Sequence, residues 1–333
     1  MTTGKAGANW QGFLALTATA ALWGSNHVVA RAAREAVPLP AMLFWRWFPA
    51  AIVLTIVALP ALRSAWPEIR PRLRELVVGG VVGVGVFSYL LFGGAYQSLA
   101  IEVGLINATT PVWVALMASR SGEGAFTTAM KWGLVLALGG TVLIITKGRP
   151  QALSELHFNL GNLWSLLAAI AFAWFSIQVR GWTRVIDPLS LTTVSAWAGL
   201  AVVMLPAYLV WMLAGGPWLV FEGADLGFAL AAIGYIAIGP TMLGNLFYLY
   251  GVAVVGPARA AAFLYLSPLF TVTFSVAWLG EQIAWFHVAG IAAIFAGLAL
   301  LGRSGPKRVS EGTPSLSAAG ERASQLPRVG ERK

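Results

Sequence analysis

Ten stretches of the chain are apolar over most of the length a bilayer crossing requires. They are residues 11–30, 40–60, 75–97, 103–119, 131–147, 159–180, 188–213, 226–249, 258–279 and 283–302. A hydrocarbon core about 30 Å thick takes about 20 residues of helix. The fourth stretch is the shortest and stops at Arg120. Apolar residues follow one another without alternation, as from Leu134 to Ile145. A membrane barrel needs strands of about ten residues with alternating polarity, so the pattern predicts helices. The connections are mostly short and leave no room for a soluble domain. The expected fold is an all-α integral membrane protein of ten transmembrane helices. The first stretch also resembles a signal peptide, with Lys5 ahead of the apolar segment Phe13 to Leu22. It continues through Ala30 and nine more stretches follow, so it reads as the first span.

Composition agrees with this class. Of 333 residues, 58% are apolar and 11% charged, against about 25% charged in an ordinary soluble domain. So few charges cannot cover the surface of a soluble globule. There is no cysteine, which excludes a disulfide scaffold and any Cys-ligated zinc or iron–sulfur centre. The histidines, His27, His157 and His287, are too scattered to form a metal site. No cofactor is expected, and no P-loop for ATP occurs.

The net charge of +9 raises the question of nucleic acid. The cations, however, lie between apolar stretches and at the end of the chain, not along one helix face. They fix orientation instead, because cytoplasmic loops are enriched in Lys and Arg. With ten spans, one side holds Lys5, Arg63, Arg70, Arg72, Arg74, Arg120, Lys131, Arg180, Arg184, Arg259 and seven cations after residue 302, seventeen in all. The other holds four: Arg31, Arg34, Lys147 and Arg149. Both termini are therefore expected in the cytoplasm, with the chain multi-pass in a bacterial inner membrane. Residues 303–333, rich in Ser, Gly, Pro, Glu and Arg, have too few large apolar residues to fold and read as a disordered cytoplasmic tail.

The chain repeats itself. Residues 105–140 and 262–297 align at a shift of 157, which pairs Pro111 with Pro268, Gly133 with Gly290 and Gly140 with Gly297. A shift of 150 pairs Pro38 with Pro188 and Trp47 with Trp197. This divides the chain into two five-helix halves, 9–150 and 158–302. Five is odd, so the second half enters the membrane from the opposite side and the halves are inverted repeats. Secondary transporters use this architecture, with substrate near the midplane between the halves.

The stretch ALWGSNHVVAR (21–31) resembles the first-helix signature of the drug/metabolite transporter superfamily. PLPAMLFWRWFPAAIVL (38–54) resembles its second helix, with Arg46 at the family's arginine. In each half a mid-helix proline is followed about 12 residues later by an acidic residue and then by a Gly-rich helix. This is the pattern of the EamA-type domain, present twice and covering residues 9–302. Within the superfamily the chain looks most like the YddG-type bacterial exporters of aromatic amino acids. The resemblance implies a ten-helix, basket-like carrier that exports small metabolites and is not an enzyme. It implies a small-molecule substrate, a lipid bilayer, and a monomer with no nucleic-acid or obligate protein partner.

Polar groups inside a membrane are costly and so mark candidate sites. Trp23, Asn26 and His27 share a face of the first helix, and Trp174 and Gln178 share a face of the sixth, its repeat equivalent. These faces are expected to meet across a central cavity. Aromatic rings there can stack on a substrate ring, and amides can bind its amino and carboxylate groups. The alternative is that the amides join helices and the tryptophans fill space. His27 is either a proton carrier or a neutral hydrogen-bonding group, and the neutral role is favoured. Tyr89, Tyr96, Asn107, Asn245, Tyr248 and Tyr265 complete the candidate lining. Arg46, the one strong charge deep in a span, can hold a carboxylate bidentately, or serve structure by snorkelling or binding backbone carbonyls and helix ends. The resemblance favours the structural role, because the arginine recurs in a family of varied substrates. Pro111 and Pro268 are candidate hinges or static kinks. A membrane enzyme acting on lipid is disfavoured, because Glu35, Glu102 and Glu281 are isolated.

Overall fold

The computed structural model describes residues 3–98, 100–121, 127–154, 159–279 and 283–303. Helices dominate, and no strand occurs among the described residues. We label the rods α1 (Thr3–Ala33), α2 (Leu39–Ile69), α3 (residues 73–97), α4 (residues 100–120), α5 (Thr128–Ile145), α6 (Leu160–Trp182), α7 (Pro188–Leu213), α8 (Leu226–Val255), α9 (residues 257–279) and α10 (Trp285–Arg303). Among the described residues, five helical stretches are long and apolar enough to cross a membrane, and Trp285–Leu301 is a shorter apolar helix. One of the five, Leu39–Gln97, is 59 residues long, about three times a single crossing. It is a hairpin: after the 3-10 turn Arg70–Arg72, α3 runs back along α2 and brings the Tyr96 hydroxyl to the Val37 carbonyl at 3.3 Å.

Local chemistry sets the helix starts. The side chains of Thr127, Asn159, Asp187 and Asp225 each accept a hydrogen bond from the backbone N–H three residues on. These bonds satisfy donors that have no partner inside the helix. Gly256 alone separates α8 from α9. It has φ of 86°, a left-handed conformation that favours glycine.

Several rods are interrupted. α3, α7 and α8 contain π-helical turns at Val81–Val86, Leu200–Met204 and Ala237–Leu243. α4 is split into Ala100–Asn107 and Thr110–Arg120, with Pro111 in the first turn of the second piece. In α9 a 3-10 segment, Phe263–Leu266, precedes Ser267–Leu279, and Pro268 opens that last piece. Pro111 and Pro268 therefore each stand in the first turn of a helical piece, where a missing N–H is tolerated.

Small residues decide how the rods meet. α5 and α10 pack antiparallel through four glycines: Gly133 lies against Gly297, and Gly140 against Gly290. A Cβ on Gly290 would stand 2.7 Å from the Gly140 carbonyl oxygen. Without a hydrophobic drive between helices in lipid, such close backbone approach supplies much of the association. α1 packs on α8 and α9, as α6 packs on α3 and α4. Likewise α2 packs on α8, as α7 packs on α3.

Candidate functional site

Four aromatic rings from α1, α3, α6 and α8 form a seam in which Phe172 and Tyr248 are buried and Trp23 and Phe87 half-buried. Trp23 lies 5.8 Å from Phe172 and 5.4 Å from Tyr248, centroid to centroid. Phe172 lies 5.0 Å from Tyr248 and 5.1 Å from Phe87. Polar atoms fix the rings. The Trp23 indole donates to the Pro240 carbonyl at 3.0 Å, inside the π-turn of α8. The Tyr248 hydroxyl is 2.9 Å from Ser176 Oγ. Asn245 donates through Nδ2 to the Thr241 carbonyl at 2.7 Å. A π-turn displaces the backbone hydrogen bonds, and Pro240 offers no N–H. Trp23 and Asn245 donate to two carbonyls of this displaced stretch, those of Pro240 and Thr241.

Beside this seam, Arg46 is 94% buried, between α2, α3 and α8. Its Nε donates to Thr241 Oγ1 at 3.0 Å, and its guanidinium lies 4.6 Å from the Phe92 ring centroid. Nη1 has no hydrogen-bond partner among the described residues. Asn26 is buried with Oδ1 in the same condition. Tyr89 is half-buried against the apolar cluster that contains Phe92 and Trp47. Arg46 Nη1 is thus an unmatched donor and Asn26 Oδ1 an unmatched acceptor, each buried where water competes little.

The other candidates are spread along the bundle. Tyr265 is buried, packs beside Ala20, Ala115 and Ala118, and has a hydroxyl without a partner among the described residues. Asn107 ends the first piece of α4, and Pro111 is buried one turn on. Trp174 packs at the edge of the cluster holding Phe172, and Gln178 is partly exposed on the same helix. His287 accepts from the Ala284 N–H at 3.0 Å, at the start of α10. The side chains of His27 and Glu102, together with His157, Glu281 and residues 304–333, lie outside the described residues. The sequence placed the faces of Trp23 and Trp174 opposite each other; the α6 ring stacked near Trp23 is Phe172. Phe87, Phe92, Phe172, Ser176 and Thr241 escaped a search keyed to polar groups and repeated positions. The signal for Thr241 was its place beside Pro240, a proline within an apolar run.

The sequence matches the EamA-like transporter family twice, over residues 10–146 and 159–303. The chain belongs to that family. It is a membrane transporter. Among its relatives is the "Uncharacterized inner membrane transporter YedA" of Escherichia coli K12, 27% identical over 87% of this chain and 91% of that protein. The "Uncharacterized transporter YyaM" of Bacillus subtilis is 26% identical over 76% of this chain and 81% of its own. A "Probable terminal-alkyne amino-acid exporter" of Streptantibioticus cattleyicolor is 26% identical over 87% of this chain and 92% of that one. A solved structure at 20% identity superimposes with a TM-score of 0.67, over 89% of this chain and 96% of the other, and shares the fold.

Proposed function

We propose that this protein is a secondary transporter that exports neutral and aromatic amino acids and related amphipathic metabolites by alternating access. The observation that supports it most directly is the aromatic and amide seam at the junction of α1, α3, α6 and α8, where a ring and an amino-acid backbone find matching surfaces. The amino-acid exporter among the relatives points the same way. In this reading the chain forms ten spans in two inverted five-helix repeats. The packing supports that symmetry. The most extensive pairings are matched by those in which every rod is replaced by the one five places along, as with α1–α8 and α6–α3, or α1–α9 and α6–α4. The glycines behave alike: Gly133 and Gly290 are sequence equivalents, as are Gly140 and Gly297, and each touches the other's mate. Reciprocal contact of this kind is what a two-fold axis produces. The paired breaks ahead of Pro111 and Pro268 then serve as hinges, and Arg46 serves packing.

Reconstituted protein loaded with a panel of amino acids should release phenylalanine and tryptophan down their gradients with no imposed proton gradient. Release no faster than from protein-free vesicles for every panel member would refute the reading.

Orientation is a separate matter. The charge count places both termini in the cytoplasm of an inner membrane. Reporter fusions at Gly215, after α7, and at the C-terminus should lie on opposite sides. Both on one side would exclude ten spans.

A further inference from the structure

The connection between α7 and α8, residues 214–225, takes no part in the aromatic seam. It runs for twelve residues between Leu213 and Leu226. Its repeat equivalent, between α2 and α3, makes the same reversal with the three-residue turn Arg70–Arg72. Reversal alone therefore does not require the added length. The added chain is held down as a strap. The Phe221 N–H donates to the Ala36 carbonyl, in the turn between α1 and α2, at 2.9 Å. The Trp218 carbonyl accepts from the Tyr208 hydroxyl of α7 at 2.7 Å and from the Trp45 indole of α2 at 3.2 Å. The Tyr208 ring lies flat on Phe44 of α2, 4.5 Å away and 3° from parallel, which keeps its hydroxyl at that carbonyl. Between these bonds Leu219 is 1% exposed, in the apolar cluster that contains Val37, Met42 and Ile233.

Ala36, Phe44 and Trp45 belong to the first half of the chain, and the strap belongs to the second. Its bonds therefore tie the halves together, at the end of the bundle that the proposed orientation places outside the cytoplasm. Lifting the strap would break all of these bonds and expose Leu219 in one step. A lid that opens at every turnover is built from few buried contacts instead. We infer that the strap is a fixed clamp, which holds the outer ends of α1, α2, α7 and α8 together throughout the transport cycle. The halves pivot about it. The outer mouth then opens on the side of α4 and α9, which pack on α1, α5, α6 and α10. The inference rests on the alternating-access reading for the cycle, and not for the clamp itself.

The chain has no cysteine, so an introduced pair supplies its only thiols. Ala36→Cys with Phe221→Cys leaves the backbone bond in place, at one half-buried and one exposed position that a reagent can reach. Reconstituted full-length protein joined there by a short bis-maleimide, with joining checked by intact mass, should export phenylalanine as fast as the same variant left unjoined. Hydrogen exchange on the purified protein gives a readout that needs no transport. Residues 218–222 should exchange as slowly as the adjoining ends of α7 and α8, at rates unchanged by saturating phenylalanine. Tyr208→Phe keeps the ring on Phe44 and removes the donor to Trp218, so exchange there should quicken about two- to tenfold, the loss of one hydrogen bond. Export lost on joining but present without it would make the strap a gate that lifts, and would overturn the inference. Exchange at 218–222 as fast as in an unstructured peptide, or quickened by phenylalanine, would overturn it too. No export of any panel member before joining would refute the function instead, and slow exchange would still leave the clamp standing.

Discussion

Arg46→Ala is expected to lower the unfolding free energy by about 2–4 kcal/mol, and Arg46→Met to leave it near the wild-type value. Several opposed terms give this contrast. Truncation removes a charge-assisted bond to Thr241, worth about 1.5–3 kcal/mol, and the contact with the Phe92 ring, worth about 2 kcal/mol when desolvated. It also relieves the burial of a guanidinium that has an unmatched Nη1, a gain of several kcal/mol. These terms roughly offset, so the cavity decides. Alanine leaves a large one, at about 24 cal/mol per Å³, and methionine nearly fills it. If Arg46 serves packing, export by the methionine variant should follow its folded amount. Thermal unfolding in detergent together with efflux assays would check both halves. A methionine variant as stable as wild type, yet defective only toward carboxylate-bearing substrates, would make Arg46 a ligand.

The second expectation concerns the aromatic seam. Phe172→Leu keeps apolar volume but removes the ring that faces Trp23 and Tyr248. Stacking beyond simple area burial is worth about 0.5–1.5 kcal/mol, so phenylalanine and tryptophan affinity should fall about two- to tenfold. Alanine and valine export should stay unchanged. Trp23→Ala is more drastic. It removes the indole bond to Pro240 and opens space beside Gly244, which the Trp23 side chain packs against. Ring-bearing substrates should lose about 1–3 kcal/mol of binding, alongside reduced thermal stability. Trp174→Ala, at the edge of the same cluster, should give a smaller version of this selective loss. Competition efflux measured over the panel separates the outcomes. Equal losses for ring-bearing and aliphatic substrates would make these rings packing residues and move the substrate site elsewhere.

The sequence by itself determined the class of the protein, the order of its helices and its family. Hydrophobicity summed over 20 residues is a one-dimensional quantity, and a bilayer reads it directly. It also determined the glycines of α5 and α10, because Gly133, Gly140, Gly290 and Gly297 stand at matching intervals in two copies. The tertiary structure decided the rotation of each rod about its axis. In water, a polar face tells a helix which side to bury. Here both the lipid side and the protein side of a helix are apolar, so no such asymmetry marks the inner face. Hence Trp23 was legible as a candidate, but the α6 ring it packs against, Phe172, on another face of α6 from Trp174, was not. The structure also decided the interruptions. The π-turns of α3 and α8, and the breaks ahead of Pro111 and Pro268, depend on what packs against the displaced backbone. Trp23 holds the Pro240 carbonyl and Arg46 holds Thr241 from rods far away in sequence, so only the assembled bundle could fix where those carbonyls and hydroxyls would find their donors.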